Sequence, residues 1–172
     1  MMCQDSIAGQ WHFRANFNNL HAPPRSCPMH IRFIKPAETH ALRQQVLRPG
    51  QPLEEMEWSK DRASGNFHLG VQEEEDLIAI ASFFRERNEF LRGWIQYRLR
   101  GMATAPRHQG KGFGTRLLQF GMGHLRDMKA DLLWCNAREN AVGFYARAGF
   151  KGEGQTFLIE GIGIHHLMYH RL

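Results

Sequence analysis

The chain has 172 residues, 42% of them hydrophobic and 23% charged, with a formal net charge of +5, which fits one ordinary domain able to enclose its own core. No apolar run approaches the roughly 20 residues of a membrane span and no secretion signal opens the sequence, so a soluble, cytoplasmic chain with no membrane partner is expected. Three cysteines share no metal-type spacing, the histidines form no H-x-x-x-H pair on a predicted helix, and the basic residues are scattered, so no disulfide framework, metal site or nucleic-acid partner is expected.

Residues 1–28 show no sustained period of two or 3.6 and end in a proline-rich stretch, which predicts a disordered arm or a non-native extension upstream of a start at Met29, with the domain occupying 29–172. "HIRFI" at 30–34 reads as a strand. Residues 36–47 follow as a helix, with Pro36 in its first turn and Leu42, Val46 and Leu47 on one side. "RPGQP" at 48–52 stops it, and an irregular stretch runs to Asn66. "FHLGV" at 67–71 and "LIAIASFF" at 77–84 predict a hairpin whose acidic turn, including Glu73 to Glu75, is a solvated tip.

A longer strand is predicted over 94–104, then a helix over 112–128 with Phe113, Leu117, Phe120 and Leu125 recurring on it. A strand at 131–137, a helix at 138–149 ending in glycine, and two strands at 150–159 and 162–172 complete the order. This is a mixed α/β domain.

Between the strand ending at Thr104 and the helix beginning at Gly112 lies "RHQGKGFGTRLL". Its spacing matches neither a dinucleotide fingerprint nor a phosphate-binding P-loop of the G-x-x-x-x-G-K type. Taken alone, the glycines could simply turn the chain. Their position before a helix adds a second reading: first-turn N–H groups without internal partners, approached closely where Cβ atoms are absent, suit an anionic phosphate. Arg107, Lys111 and Arg116 add positive charge nearby.

"MATAPRHQGKGFGTRLL" resembles the acyl-CoA-binding signature of the GNAT superfamily of N-acetyltransferases, R/Q-x-x-G-x-G/A, with Gln109, Gly112 and Gly114 at the defining positions. "ENAVGFYARAGF" is similar to the family's second signature, A-x-x-x-Y-x-x-x-G-F, at Ala141, Tyr145, Gly149 and Phe150. The resemblance spans residues 30–172. It implies a GNAT fold: a mixed, mostly antiparallel sheet of six to seven strands flanked by about four helices.

It also implies direct acetyl transfer from acetyl-CoA, used as co-substrate without a metal, to the primary amine of a small molecule or peptide. The implied pyrophosphate contacts are Gln109, Gly110, Lys111, Gly112, Phe113, Gly114 and Thr115. Met102, Ala103 and Thr104 would pair with the pantetheine arm, the Met102 N–H facing the thioester carbonyl to stabilise the oxyanion. Tyr145 matches the acid that protonates the departing thiolate, although a core tyrosine would occupy the same helix face.

At the position seven residues before Tyr145, where the family often has an amide, this chain carries Arg138. Asn136, Asn140 and Phe144 complete the implied cofactor contacts, Phe144 being equally suited to packing. The predicted strand over 94–104 contains no acid and carries Arg98 and Arg100 instead. His165 and His166 are therefore the candidates for general base, His165 being the residue assigned, and strand alternation allows only one of them on the site face.

Acceptor selection is expected between Leu42 and Trp58, where Glu54, Glu55 and Glu57 would either attract a cationic amine or stand solvated. A non-enzymatic acyl-CoA sensor of the same fold is the alternative function, and a homodimer is a possible assembly.

Overall fold

The computed structural model describes residues 30–172; the arm expected over residues 1–28 lies outside the described residues. Seven strands form one sheet in the order β1-β2-β3-β4-β5-β7-β6, with β1 His30–Ile34, β2 Phe67–Glu73, β3 Asp76–Arg85, β4 Gln96–Thr104, β5 Leu132–Arg138, β6 Lys151–Ile159 and β7 Gly163–Arg171. Every pairing is antiparallel except β4 with β5. Among the described residues the α-helices are α1 (His40–Leu42), α2 (Phe113–Asp127) and α3 (Val142–Arg147).

Alternation along the strands separates two faces. On one, Leu69, Ala81, Phe83, Leu99 and Leu133 pack against Leu117, Leu118 and Leu125 of α2, the main core. Gly121 brings α2 against the sheet, since a Cβ there would meet Phe83 Cε1 at 2.8 Å. The opposite face carries His68, Ser82, Phe84, Arg98 and Arg100, register partners across β2, β3 and β4. It is covered by α1 and the following loop, with Leu42 packed beside Ile80 and Ala103. Among the described residues, no helix is long and apolar enough to cross a membrane.

The segment predicted as a helix over 36–47 passes through a 3-10 turn (Pro36–Thr39), α1, and a π turn (Arg43–Leu47). The π turn sits where Arg43 dives beneath the loop. Its Nη2 donates to Asp61 Oδ1 at 2.9 Å and to Ser82 Oγ at 2.8 Å, and its Nη1 donates to the Met56 carbonyl at 2.8 Å. His68 Nε2 donates to the Asp61 carbonyl at 3.0 Å, so its Nδ1 accepts from Ser82 at 2.8 Å. A stretch that reads as polar and irregular is thereby anchored to the sheet.

Two boundaries shift for similar reasons. β4 begins at Gln96 rather than 94, because the Asp131 carboxylate accepts from the Trp94 and Ile95 N–H groups at 2.7 and 3.1 Å. The helix expected over 138–149 shrinks to a 3-10 turn (Glu139–Ala141) and α3, because Arg138 stays in β5 opposite His165. The acidic hairpin tip is not wholly solvated: Glu73 reaches His108 Nε2 at 3.0 Å.

Candidate active site

β4 and β5 pair only over Gln96–Leu132, Tyr97–Leu133 and Arg98–Trp134. Beyond those pairs β4 stays hydrogen-bonded to β3, while β5 continues along β7. The two strands therefore part, and β4 from Leu99 onward has no neighbouring strand on its β5 side. A bulge lies here, with Gly101 and Met102 together opposite Ala81. Gly101 makes it possible through its φ of 58° and because a Cβ would meet the Trp58 ring at 2.7 Å. The extra residue keeps Met102 on the core side while Arg100 points to the opposite face.

One end of the opening is the glycine loop. Gly110 and Gly112 have φ of 75° and 82°, the left-handed region that glycine enters at least cost, with open space where a Cβ would stand. Gly112 caps α2, leaving the first-turn amides without helical partners. Gly114 lets the helix approach β4, since a Cβ would lie 3.3 Å from Met102 Cε. Gln109 Nε2 donates to the Thr104 carbonyl at 3.1 Å and braces the loop against the strand end.

Gly110, Gly112, Phe113, Gly114 and Thr115 line a cavity of about 320 Å³ together with Arg147, a cation that the sequence reading did not single out. Lys111 is exposed and outside that lining, and Arg107 is held by Asp76 at 2.6 Å.

Next along the opening is a cavity of about 460 Å³, whose walls include Met102, Ala103, Thr104, Asn140, Phe144 and Tyr145. Thr104, Gln109, Gly114 and Phe144 border both spaces. Tyr145, on α3, is 8% exposed, and among the described residues the one side-chain partner of its hydroxyl is Met102 Sδ at 3.9 Å. Burial pushes this phenol well above the ordinary tyrosine pKa, with the buried Cys135 thiol adding to the effect, so it holds its proton at neutral pH.

A third cavity of about 190 Å³ continues beyond Tyr145, Met102 and Arg138. Asn136 and His165 line it, as do Leu47, Arg48, Trp58 and Arg100. His165 Nδ1 donates to the Gly163 carbonyl at 2.8 Å, which fixes the tautomer and leaves Nε2 with its lone pair. His166 is absent from the lining, as strand alternation requires, and among the described residues its buried Nε2 has no hydrogen-bond partner. Arg138 Nη2 donates to the Leu47 carbonyl at 2.9 Å, tying β5 to the helical segment across the opening.

The loop glutamates do not build this site. Glu54 and Glu55 are exposed and absent from the cavity walls, and Glu57 pairs with Arg62 at 2.7 Å. The loop contributes Trp58 instead. The surrounding charge is basic, with Arg48, Arg98, Arg100 and Arg138 all lining the cavity. Arg98 and Arg100 were visible on the predicted strand, but only the strand opening brings them together with Arg48 and Arg138 around one space. Among the described residues, no group of three or more His, Cys, Asp or Glu side chains is placed to hold a metal ion.

A seven-stranded sheet parted beside a glycine-capped helix, with a buried phenol at the gap, is the architecture of an acyltransferase. The model of the GNAT acetyltransferase family matches residues 33–150, and the chain belongs to that family. It is 38% identical over 144 residues to the uncharacterized N-acetyltransferase YitI of Bacillus subtilis (strain 168), covering 84% of this chain and 97% of that protein.

Solved structures share the fold at lower identity. The ElaA protein of Escherichia coli superposes with a TM-score of 0.68 at 14% identity, over 83% of this chain and 99% of its own. The ribosomal-protein-S18-alanine N-acetyltransferase of the same organism gives 0.67 at 14% identity, over 84% and 94%.

Proposed function

We propose that this protein binds acetyl-CoA along the opening between β4 and β5 and transfers the acetyl group directly to a primary amine. The observation that carries this reading is the continuity of the three cavities, from the capped amides of α2, past Met102 and the Tyr145 phenol, to the space around His165. The chemistry of the walls fits the co-substrate: unpaired first-turn amides for a pyrophosphate, and an open strand edge for an amide-bearing arm.

Bound acetyl-CoA supplies an acyl carbon activated as a thioester. The Met102 N–H stabilises negative charge on the carbonyl oxygen as the amine nitrogen attacks that carbon. As the carbon–sulfur bond breaks, the Tyr145 hydroxyl gives its proton to the leaving sulfur. The proton shed by the amine goes to His165 Nε2, either directly or through water. Gln109, Gly110, Gly112, Gly114 and Thr115 hold the pyrophosphate, while Asn136, Arg138, Asn140 and Phe144 border the arm.

Calorimetry with CoA tests the binding half. Gly112→Val strains a φ of 82° and puts a side chain over the amides; losing one or two charge-assisted hydrogen bonds weakens binding about 10- to 100-fold. Gly123→Ala, at an open position inside α2, retains wild-type affinity. Equal affinity for Gly112→Val and wild type would remove the phosphate assignment.

A further inference from the structure

From the charge of the innermost cavity, we infer that the acceptor is a small amino carboxylate, a molecule carrying a carboxylate a few bonds from its primary amine, with Arg100 and Arg48 receiving that carboxylate. The inference rests on the transferase reading above and assigns the substrate class of the same site.

Four guanidinium groups face a space of about 190 Å³, and they are not equivalent. Arg98 is neutralised by Glu86 at 2.8 Å and lies over the Trp134 ring at 4.8 Å. Arg138 is engaged by the Leu47 carbonyl. Arg43, behind the wall, is paired with Asp61. Arg100 is different: it lies 4.4 Å over Trp58 and 5.8 Å from Phe84. Among the described residues, no carboxylate comes within 4.0 Å of it or of Arg48.

A guanidinium held over an aromatic ring, with no carboxylate already engaged, keeps N–H donors available for bidentate carboxylate binding. The site is partly closed to water, as burial of Arg100 lowers its pKa, with Arg98 beside it adding to the shift. An entering anion is therefore favoured more strongly than it would be at an open surface.

Distance and volume fit the same class. Arg100 precedes Met102 by two residues, and the bulge between them brings the two closer than the roughly 7 Å that two residues of regular strand would span. An amine at the Met102–Tyr145 end thus leaves a carboxylate of the same small molecule within reach of the guanidinium. Polycations meet like charge here, with no carboxylate in the lining to offset it.

Two measurements on the full chain test this. In a thiol-release assay with acetyl-CoA, free L-amino acids are compared with their carboxamides, with short peptides and with spermidine. In parallel, calorimetry on the CoA-loaded protein compares amino acid with carboxamide. The preferred amino acid exceeds its carboxamide by about 10- to 100-fold in both kcat/KM and affinity. Arg100→Gln collapses that ratio through KM while CoA affinity holds, Arg100→Lys restores part of it, and Arg48→Gln reduces it.

Carboxamides, peptides or spermidine turned over as well as the amino acids would overturn the assignment and leave the transferase reading standing. Carboxylate-selective binding without thiol release would uphold the assignment and defeat the transferase reading. Neither selective binding nor selective turnover overturns the assignment.

Discussion

Replacing Tyr145 by Phe removes one oxygen from the centre of the opening. In the folded chain that oxygen has a thioether sulfur at 3.9 Å as its side-chain partner, a weak acceptor. Its loss changes stability by less than about 1 kcal/mol, and Phe fills the same place beside Phe144 and Phe150. The catalytic consequence is much larger. In the proposed mechanism this buried phenol, pushed well above its ordinary pKa, keeps its proton at neutral pH and gives it to the leaving sulfur.

Without that donor the thiolate departs unprotonated, and kcat falls by about 10²- to 10⁴-fold, the usual worth of a positioned acid. Thiol release on an accepted amine measures the rate, calorimetry with CoA checks that binding is retained, and thermal unfolding checks the fold. Turnover within twofold of wild type would refute the acid assignment. A loss of CoA affinity matching the loss of rate would make Tyr145 a binding residue instead.

Three further predictions concern stability. Gly121→Ala drives a Cβ into the Phe83 ring, which is fully buried and stacked on Phe67 at 4.7 Å; overpacking there costs about 1–3 kcal/mol, read as a lower denaturant midpoint. Asp61→Ala leaves the Arg43 guanidinium buried and uncompensated, a loss of about 3–5 kcal/mol, and it should also loosen Trp58 over the innermost cavity. Acid acts on the same network. Burial depresses the pKa of His68 below 6.5 despite the neighbouring Asp61, so the unfolded chain takes up a proton first, and stability falls as pH drops below about 6.5.

His170, depressed by burial in the same direction, adds to that window. Burial pushes Asp61 up, but hydrogen bonds from Arg43 and the Trp58 N–H outweigh it, so its carboxyl stays below 3.8. Its contribution is therefore held above pH 3.8 and lost as pH falls through the depressed value. Melting curves across pH should show the upper decline in wild type and a smaller one in His68→Gln, and identical profiles would remove His68 from the account.

Local pattern by itself determined much of this protein. The alternating strands, the apolar stripe of α2 and the glycines of its cap are set by residues near one another in the chain, and so they were legible in sequence. Gly112 illustrates this, being predicted at a helix start and found there as the residue that caps α2, with a positive φ that glycine adopts at least cost. Two motifs in the right order also pointed to the family and to a phenol at position 145.

Contacts between distant segments decided the rest. Nothing local to Arg43, Asp61, His68 and Ser82 marks them as one buried network, because it forms only when a polar loop folds onto the far side of the sheet. The length of α3 was likewise set by Arg138 remaining in β5 opposite His165. The character of the innermost cavity follows the same rule: glutamates prominent in the sequence turn to solvent, while arginines spread over the chain from 48 to 138 line a single space. That convergence depends on where β4 and β5 part, a property of the whole sheet and of no segment within it.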